Sequence, residues 1–220
     1  MVARDVVVAE SEAIEPADSV STDRRPRADA IRNRDLLIVA AAEAFAARGA
    51  DVPLEDIARN AGVGIGTLYR HFPTRESLVE AVYRHEIDVL CERADQFLES
   101  MPPEQALAAW MQLFVVHVAT KRGMLSLLKP LLSTNPNFSD QTRGRATAAA
   151  SKLLEAGVAA GTIRADVDGG DLLRAVGGIC MSTDQERSAA SERLVGLLFD
   201  GLRHGAAGSP SATQPGNASV

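Results

Sequence analysis

Four side chains that can donate hydrogen bonds lie within five residues of one another in this sequence: Thr67, Tyr69, Arg70 and His71. Leu68 and Phe72 are one helical turn apart, so a short helix here would bury these two residues and leave the donors facing outward. Outward hydroxyl, guanidinium and imidazole groups on a helix can bond to phosphates and to base edges in a major groove. The chemistry predicted for this stretch is therefore binding to DNA.

The stretch from Leu54 to Pro73 has the pattern of two short helices joined by a turn. Its first half carries apolar residues on one helical face, namely Leu54, Ile57, Ala58 and Ala61. Gly62 follows, at a place where a helix end often needs a left-handed residue. We predict the second helix over Gly64 to Phe72, in which Gly64 and Gly66 would allow a close approach of the backbone to DNA. The whole stretch, 54–73, is predicted to be a helix-turn-helix motif.

Residues 61–72, with the sequence AGVGIGTLYRHF, resemble the signature of the TetR/AcrR family of transcriptional regulators, and the resemblance extends from about Arg32 to Cys91. It implies an all-α fold, with an N-terminal three-helix helix-turn-helix domain and a C-terminal helical domain for ligand binding and dimerisation. The implied partners are double-stranded operator DNA, a second copy of the chain and an unknown small-molecule effector. The residues predicted to bind DNA are Gly64, Ile65, Gly66, Thr67, Tyr69, Arg70, His71, Thr74 and Arg75.

Individual roles can be assigned within this set. Arg70 is the strongest candidate for a bidentate contact with guanine. Tyr69 and His71 are predicted phosphate donors, with packing against the domain surface as the alternative. Helical phase places Ile65 near the core side of the second helix, whereas the resemblance implies that it faces the bases, where it could pack on a thymine methyl. The resemblance also implies that Arg75 helps to hold a phosphate at the start of the next helix.

Two helix starts affect this prediction. The family usually has Thr at the position of Pro53, so the first helix of the motif lacks a capping hydroxyl that often touches a phosphate. Glu55 and Asp56 would repel phosphates, and we therefore expect few DNA contacts from this helix. Thr74 is predicted to cap the following helix, without a full capping box because Ser77 replaces the usual Glu or Gln.

Composition and charge restrict the class of protein. The chain has 220 residues, of which 46% are hydrophobic and 4% aromatic, and its formal net charge is −6. Residues 28–75 carry six basic and six acidic side chains, so specific DNA binding should need both copies of a dimer. No apolar run approaches the roughly 20 residues of a membrane span, and no secretory signal is recognisable. We expect a cytoplasmic protein that does not bind membranes, with Cys91 and Cys180 as buried thiols.

The predicted organisation has four parts: a disordered N-terminal arm over 1–27, the DNA-binding domain over 28–91, the effector-binding and dimerisation domain over 92–205, and a disordered tail over 206–220. The basic run Arg24 to Arg27 is either a solvated linker or an arm that follows the DNA. The first helix is predicted over Ala28 to Arg48, with Ile31, Ile38, Ala41 and Phe45 on its buried face.

The second half of the chain is predicted to be helical with several breaks. A long helix from Arg75 to about Ser100 ends before Pro102 and Pro103. A short helix over 123–132 is kinked or ended by Pro130, and residues 133–140 form a loop. Further helices are predicted over 104–122, 141–161, 171–183 and 186–204.

The effector would bind among bulky residues of this second domain. The candidate ligand-binding residues are Trp110, Met111, Phe114, His117, Met124, Leu128 and Phe138. The alternative for each is a place in an ordinary core, and for His117 a simple hydrogen bond. The last two helices are implied to form the dimer interface, through Leu173, Val176, Ile179, Leu194, Leu197, Leu198 and Leu202.

No pattern of catalytic or metal-binding residues is recognisable. Gly64-Ile65-Gly66 lacks the preceding strand and the third glycine of a dinucleotide site, and the four histidines are dispersed. Neither an enzyme nor a cofactor or metal is predicted. The function that the sequence favours is a homodimeric repressor released from a palindromic operator by a small molecule. The alternatives are an activator or corepressor-dependent regulator, and an all-α ligand-binding or scaffold protein with a vestigial DNA domain.

Overall fold

Helices make up all the regular structure in the residues that the computed structural model describes, which are 24–182 and 188–203. In chain order they are α1 Arg24–Arg48, α2 Leu54–Asn60, α3 Ile65–His71, α4 Arg75–Ser100, α5 Pro103–Gly123, α6 Leu125–Thr134, α7 Pro136–Ala159, α8 Gly169–Ser182 and α9 Ser188–Arg203. The predicted all-α fold is confirmed. The predicted arm before residue 24 and the tail after residue 205 lie outside the described residues.

Helix α1 begins at Arg24, four residues before the predicted start at Ala28. Phe45 is completely buried, as predicted, but Ile31 is 59% exposed, so its assignment to the buried face was wrong. From Ala28, where the description of side chains begins, the first buried residue of α1 is Leu37, because the turns between them bring no side chain into the core. The helix ends at Arg48 and is followed by Gly49, whose φ of +82° is the left-handed conformation that glycine adopts without strain.

Helix α4 lies at the centre of the fold and contacts α1, α5, α6 and α7. It starts with a complete capping box, in which Thr74 Oγ1 accepts from Ser77 N at 3.1 Å and Thr74 N donates to Ser77 Oγ at 3.2 Å. The prediction that Ser77 could not complete the box was wrong, because a hydroxyl oxygen accepts this hydrogen bond as a carboxylate would. The buried Trp110 of α5 is fixed to α4 by its Nε1, which donates to Leu90 O at 2.8 Å.

The loop predicted over 133–140 does not exist, and Pro130 does not end its helix. Pro130 lies inside α6, which continues to Thr134. Only Asn135 separates α6 from α7, and its side chain accepts a hydrogen bond from Phe138 N at 3.1 Å. Pro136 then occupies the first turn of α7, where its missing N–H costs no helical hydrogen bond. The Asn and Pro residues that suggested a loop therefore form a helix start.

One hydrophobic cluster runs through the described chain, from Leu37 in α1 to Leu202 in α9. The last turn of α5 crosses α1 so closely that a Cβ added to Gly123 would lie 1.8 Å from Phe45 O. Helices α8 and α9 pack against α5, and Arg203 Nε lies 2.9 Å from Glu104 Oε1. None of the helices in residues 24–182 and 188–203 is long and apolar enough to cross a membrane.

Candidate functional site

Helices α2 and α3 form the predicted helix-turn-helix. Gly62, with φ of +69°, turns the chain after α2, and Val63 N donates to Ala58 O at 3.0 Å. Helix α3 begins after Gly64, whose carbonyl accepts from Thr67 N at 2.9 Å. Leu68 is completely buried, so α3 is held to the domain by one face. The opposite face is left for a partner molecule.

The exposed face of α3 carries the predicted DNA-binding residues. Tyr69 is 47% exposed and Ile65 is 37% exposed. Arg70 is exposed, while Thr67 and His71 are half-buried. The side chains of Tyr69 and Arg70 make no hydrogen bond within the described part of the chain. The predicted glycines, Gly64 and Gly66, are exposed, and an added Cβ at either would meet no atom within 4 Å.

Thr74 and Arg75 bond within the protein in this structure. The hydroxyl of Thr74 is an acceptor in the capping box of α4. The Arg75 guanidinium is half-buried, and its Nη1 donates to Ala50 O and to Val52 O, each at 2.7 Å. Arg75 therefore holds the loop between α1 and α2, a role that its place in the sequence does not indicate.

The acidic start of α2 is partly neutralised. Asp56 pairs with Arg48 of α1, at 2.8 Å between Oδ2 and Nη1, and with Arg59 of its own helix. Pro53 caps α2 without a side-chain hydrogen bond, as expected from its missing hydroxyl. The guanidinium carbon of Arg34 lies 5.5 Å from the ring centre of Phe72, so α1 also packs against the end of α3.

A cleft of about 580 Å³ lies between α4, α5, α7 and α8. Of the predicted ligand-binding residues, Phe114 and His117 line it. Five others lie in the core and do not reach its wall: Trp110, Met111, Met124, Leu128 and Phe138. The wall includes residues that were not predicted to bind a ligand, among them Tyr83, Val118, Lys121, Thr142, Arg143, Arg174 and Met181, and Leu173, which was predicted for the dimer interface. They come from four separate helices, so no local pattern links them.

His117 is buried in the wall of this cleft, with 4% of its surface exposed. Its ring lies between the rings of Tyr83 and Phe114, at 5.8 and 5.5 Å between centres. Glu86 Oε2 is 3.5 Å from Nδ1, which is within ion-pair range, but Nδ1 makes no hydrogen bond. The expectation of a simply hydrogen-bonded histidine is wrong for this atom.

The seven residues predicted for the dimer interface differ in their exposure. Val176 and Leu202 are buried in the chain's own core, Leu173 lines the cleft, and Ile179 and Leu198 are partly buried. Leu194 and Leu197 of α9 are 42% and 66% exposed. Of the seven, these last two are the ones that remain exposed for contact with a second molecule.

The cysteines and histidines that the structure describes are not arranged around a metal. The described residues bring no three His, Cys, Asp or Glu side chains together. Cys180 is buried and Cys91 half-buried, so the expectation of two buried thiols holds for one of them. Loss of solvent raises the pKa of the Cys91 thiol, although Arg145 acts in the opposite direction. Both features are typical of thiols with a packing role.

Comparison with known proteins relates both halves of the chain to one kind of protein. Residues 37–82 match the family model "Bacterial regulatory proteins, tetR family", and residues 102–204 match "Transcriptional regulator SbtR-like, C-terminal domain". The chain is 34% identical over 142 residues to the HTH-type transcriptional repressor KstR2 of Mycolicibacterium smegmatis, covering 61% of this chain and 69% of that protein.

Two solved structures extend this similarity over most of the fold. A TetR transcriptional regulator from Streptomyces coelicolor is 41% identical with a TM-score of 0.71, and the match covers 77% of this chain and 98% of that one. A TetR transcription regulatory protein from Mycobacterium vanbaalenii is 35% identical with a TM-score of 0.63, covering 81% of this chain and 99% of that one.

Proposed function

The chain belongs to the TetR family of DNA-binding transcriptional regulators, and from this premise we propose that it is a homodimeric repressor released from a palindromic operator by a small molecule. The observation that carries the proposal is the exposed face of α3, where the side chains of Tyr69 and Arg70 make no hydrogen bond to the described part of the chain. The similarity to a named repressor supports repression over activation. Such a protein would act in the cytoplasm, where it meets DNA.

The DNA interface that we propose is narrower than the predicted set. Arg70 reads a base, Tyr69 and His71 donate to phosphates, and Ile65 packs against a base methyl. Gly64, Gly66 and Thr67 allow the start of α3 to approach the groove. Arg75 supports the interface indirectly, because it holds the α1–α2 loop by donating to the carbonyl oxygens of Ala50 and Val52.

The dimer surface that we propose lies on α8 and α9. Leu194, Leu197 and Gly201 share one face of α9, and Leu197 is the most exposed apolar residue among them. On α8, Gly178 and Met181 are exposed and lie about one helical turn apart. An added Cβ at Gly178 of α8 or at Gly201 of α9 would meet no atom within 4 Å. Small residues with open space permit close approach of a second helix pair. Two-fold pairing would set two α3 helices one turn of DNA apart, about 34–36 Å.

The cleft is the proposed effector site, and two helices link it to the DNA-binding residues. Tyr83 and Ile87 of α4 line the cleft, and the same helix begins at Arg75, three residues after Phe72. Helix α5 lines the cleft through Phe114 and His117 and touches α1 at its end. An effector that binds more tightly to the dimer when the spacing of its two α3 helices does not fit DNA weakens DNA binding. By linkage, DNA weakens effector binding by the same factor.

The family matches to 37–82 and 102–204 support the predicted division into a domain over 28–91 and a domain over 92–205.

The test is DNA binding by the purified protein, measured by fluorescence anisotropy with DNA from its own promoter region and with a scrambled duplex of the same composition. A salt series separates phosphate contacts from base readout, because counterion release makes phosphate binding salt-dependent. We expect tight, salt-dependent binding to a palindrome and much weaker binding to the scrambled duplex. Equal, weak binding to both duplexes would contradict the proposal.

A further inference from the structure

We infer that the cleft between α4, α5, α7 and α8 takes an amphipathic anion, with an apolar body inside the cleft and a carboxylate or phosphate head held by Lys121 and Arg143. The inference deepens the proposed function, since it assumes that this cleft is the effector site. It rests on three features of the cleft wall: its apolar surface, its unpaired cations and the unsatisfied nitrogen of His117.

The apolar surface suits a hydrocarbon body. Its members come from all four helices and from the start of α6, namely Ile87, Phe114, Val118, Leu125, Ala146 and Leu173. The volume of about 580 Å³ lies within the range of about 300–1,000 Å³ typical of small-molecule sites. A purely polar or very small effector would leave most of this surface without a partner.

The charged residues of the wall all have the same sign. Lys121, Arg143 and Arg174 line the cleft, and no Asp or Glu does so among the described residues. Arg174 is paired with Asp171 on its own helix. Lys121 and Arg143 have no acidic partner in the described chain. Lys121 makes a cation–π contact with Tyr83, with its Nζ 5.6 Å from the centre of the ring. Two unpaired cations beside an apolar wall favour an anion and disfavour a cation.

The buried Nδ1 of His117 is an independent indication of a ligand. Buried polar atoms in folded proteins nearly always have a hydrogen-bond partner, because the loss of water is otherwise uncompensated. His117 lines the cleft and is 4% exposed, and its Nδ1 makes no hydrogen bond; the carboxylate oxygen Glu86 Oε2 lies 3.5 Å from it. A polar group on an occupant that reaches Nδ1 would supply the missing bond, so polarity in the occupant suits this part of the wall.

The chain contains its own reporter for this cleft. Trp110 is its single tryptophan, and its ring is stacked on that of Phe114 at 5.6 Å between centres. Because Phe114 lines the cleft, an occupant that moves its ring should change the fluorescence of Trp110. Four probes with the same decyl chain would be titrated into the full-length protein: decanoate, decyl phosphate, decanol and decyltrimethylammonium. Isothermal titration calorimetry would give the same affinities by an independent signal.

We expect decanoate or decyl phosphate to bind at least about tenfold more tightly than decanol, with decyltrimethylammonium the weakest. The stronger of the two anions identifies the head group. Arg143→Gln and Lys121→Gln should each weaken that anion about tenfold and leave decanol unchanged. Arg145→Gln is the matched control, since it removes the same charge two residues further along α7, where Arg145 pairs with Asp88 outside the cleft.

Several results would overturn the inference. They are equal binding of decanol and the anions, tighter binding of the cationic probe, no binding of any probe, or an equal loss of anion affinity in the Arg145→Gln control. Binding to promoter DNA is measured without any amphiphile, so the proposed regulator can stand when this inference fails. If decanol binds in the cleft and releases DNA as well as the anions do, the cleft remains the effector site and only the anionic head is wrong.

Discussion

The Nη1 atom of Arg75 lies 2.7 Å from the carbonyl oxygen of Val52, so the first residue of α4 holds the loop that leads into the helix-turn-helix. The same nitrogen donates to Ala50 O at 2.7 Å. A displacement of α4 would therefore move the α1–α2 loop with it. This geometry joins the helix that lines the cleft to the motif that faces DNA.

Replacement of Arg75 tests whether it acts within the protein. We expect Arg75→Gln to lower the free energy of unfolding by about 1–3 kcal/mol, because two half-buried carbonyls lose a charged donor. Chemical denaturation would measure this change. The control is Arg93→Gln, at an exposed arginine of α4 that donates to the side chain of Gln96, and it should have little effect. If Arg75→Gln keeps wild-type stability and loses DNA affinity, Arg75 is instead a phosphate ligand.

Arg70 should carry base recognition. Arg70→Ala is expected to cost about 1–3 kcal/mol of operator binding and to relax specificity at one base position. Anisotropy titrations with the operator and its single-base variants would measure both effects. Lys129→Ala removes an exposed cation from α6, outside the helix-turn-helix, and serves as the control. If the two variants lose the same operator affinity, Arg70 contributes only a positive charge and does not read a base.

The two tyrosines of the chain offer a matched pair. Tyr69→Phe removes a hydroxyl from the exposed face of α3 and should weaken operator binding by about 1 kcal/mol, the value of one hydrogen bond. Tyr83→Phe changes the cleft wall and should leave operator binding without effector unchanged. The comparison uses the same anisotropy assay. A larger effect from Tyr83→Phe would contradict the assignment of Tyr69 to the DNA interface.

Leu197 should be needed for dimerisation. Leu197→Arg places a charge on the exposed apolar face of α9 and should convert the dimer to a monomer, because a buried unpaired charge is strongly unfavourable at an interface. Analytical ultracentrifugation would measure the change in mass. Val116→Arg, at a site that is 60% exposed on α5, is the control and should keep the dimer. If Leu197→Arg sediments like the wild type, α9 does not form the interface in this way.

Gly123 should tolerate no side chain. A Cβ at this position would lie 1.8 Å from Phe45 O, so Gly123→Ala must push α5 away from α1. We expect a loss of stability of about 1–3 kcal/mol, as for other overpacked sites, and a weaker effect of effector on DNA binding. Gly144→Ala in α7 is the control, because its Cβ meets no atom within 4 Å and alanine favours a helix. Melting curves of the two variants should shift in opposite directions.

The helix-turn-helix could be predicted from sequence because its signals are local. Leu68 and Phe72 bury one face of α3 by their spacing, and Gly62 supplies the left-handed turn. The cleft could not be predicted in the same way. Tyr83 and Arg143 are 60 residues apart and meet only because α4 and α7 pack together. Bulky apolar residues drew attention to α5, but most of them fill the core.

Other differences between the prediction and the structure arise where one residue type suits two different structural roles. The Asn and Pro residues at 135 and 136 suit a helix start as well as a loop, and in the structure they cap and begin α7. Ile31 has the right spacing for the buried face of α1, but the core does not extend to that turn. Arg75 could reach either DNA or the loop behind it, and its acceptors are backbone carbonyls that no sequence pattern reveals.

The unbroken hydrophobic cluster from Leu37 to Leu202 has a thermodynamic consequence. With one core shared by all the helices, the chain should melt in a single cooperative transition. A compound that binds only the folded cleft then raises the melting temperature of the whole molecule, including the helices that face DNA. Compounds that act on this regulator can therefore be sought by melting alone, before its operator sequence is known.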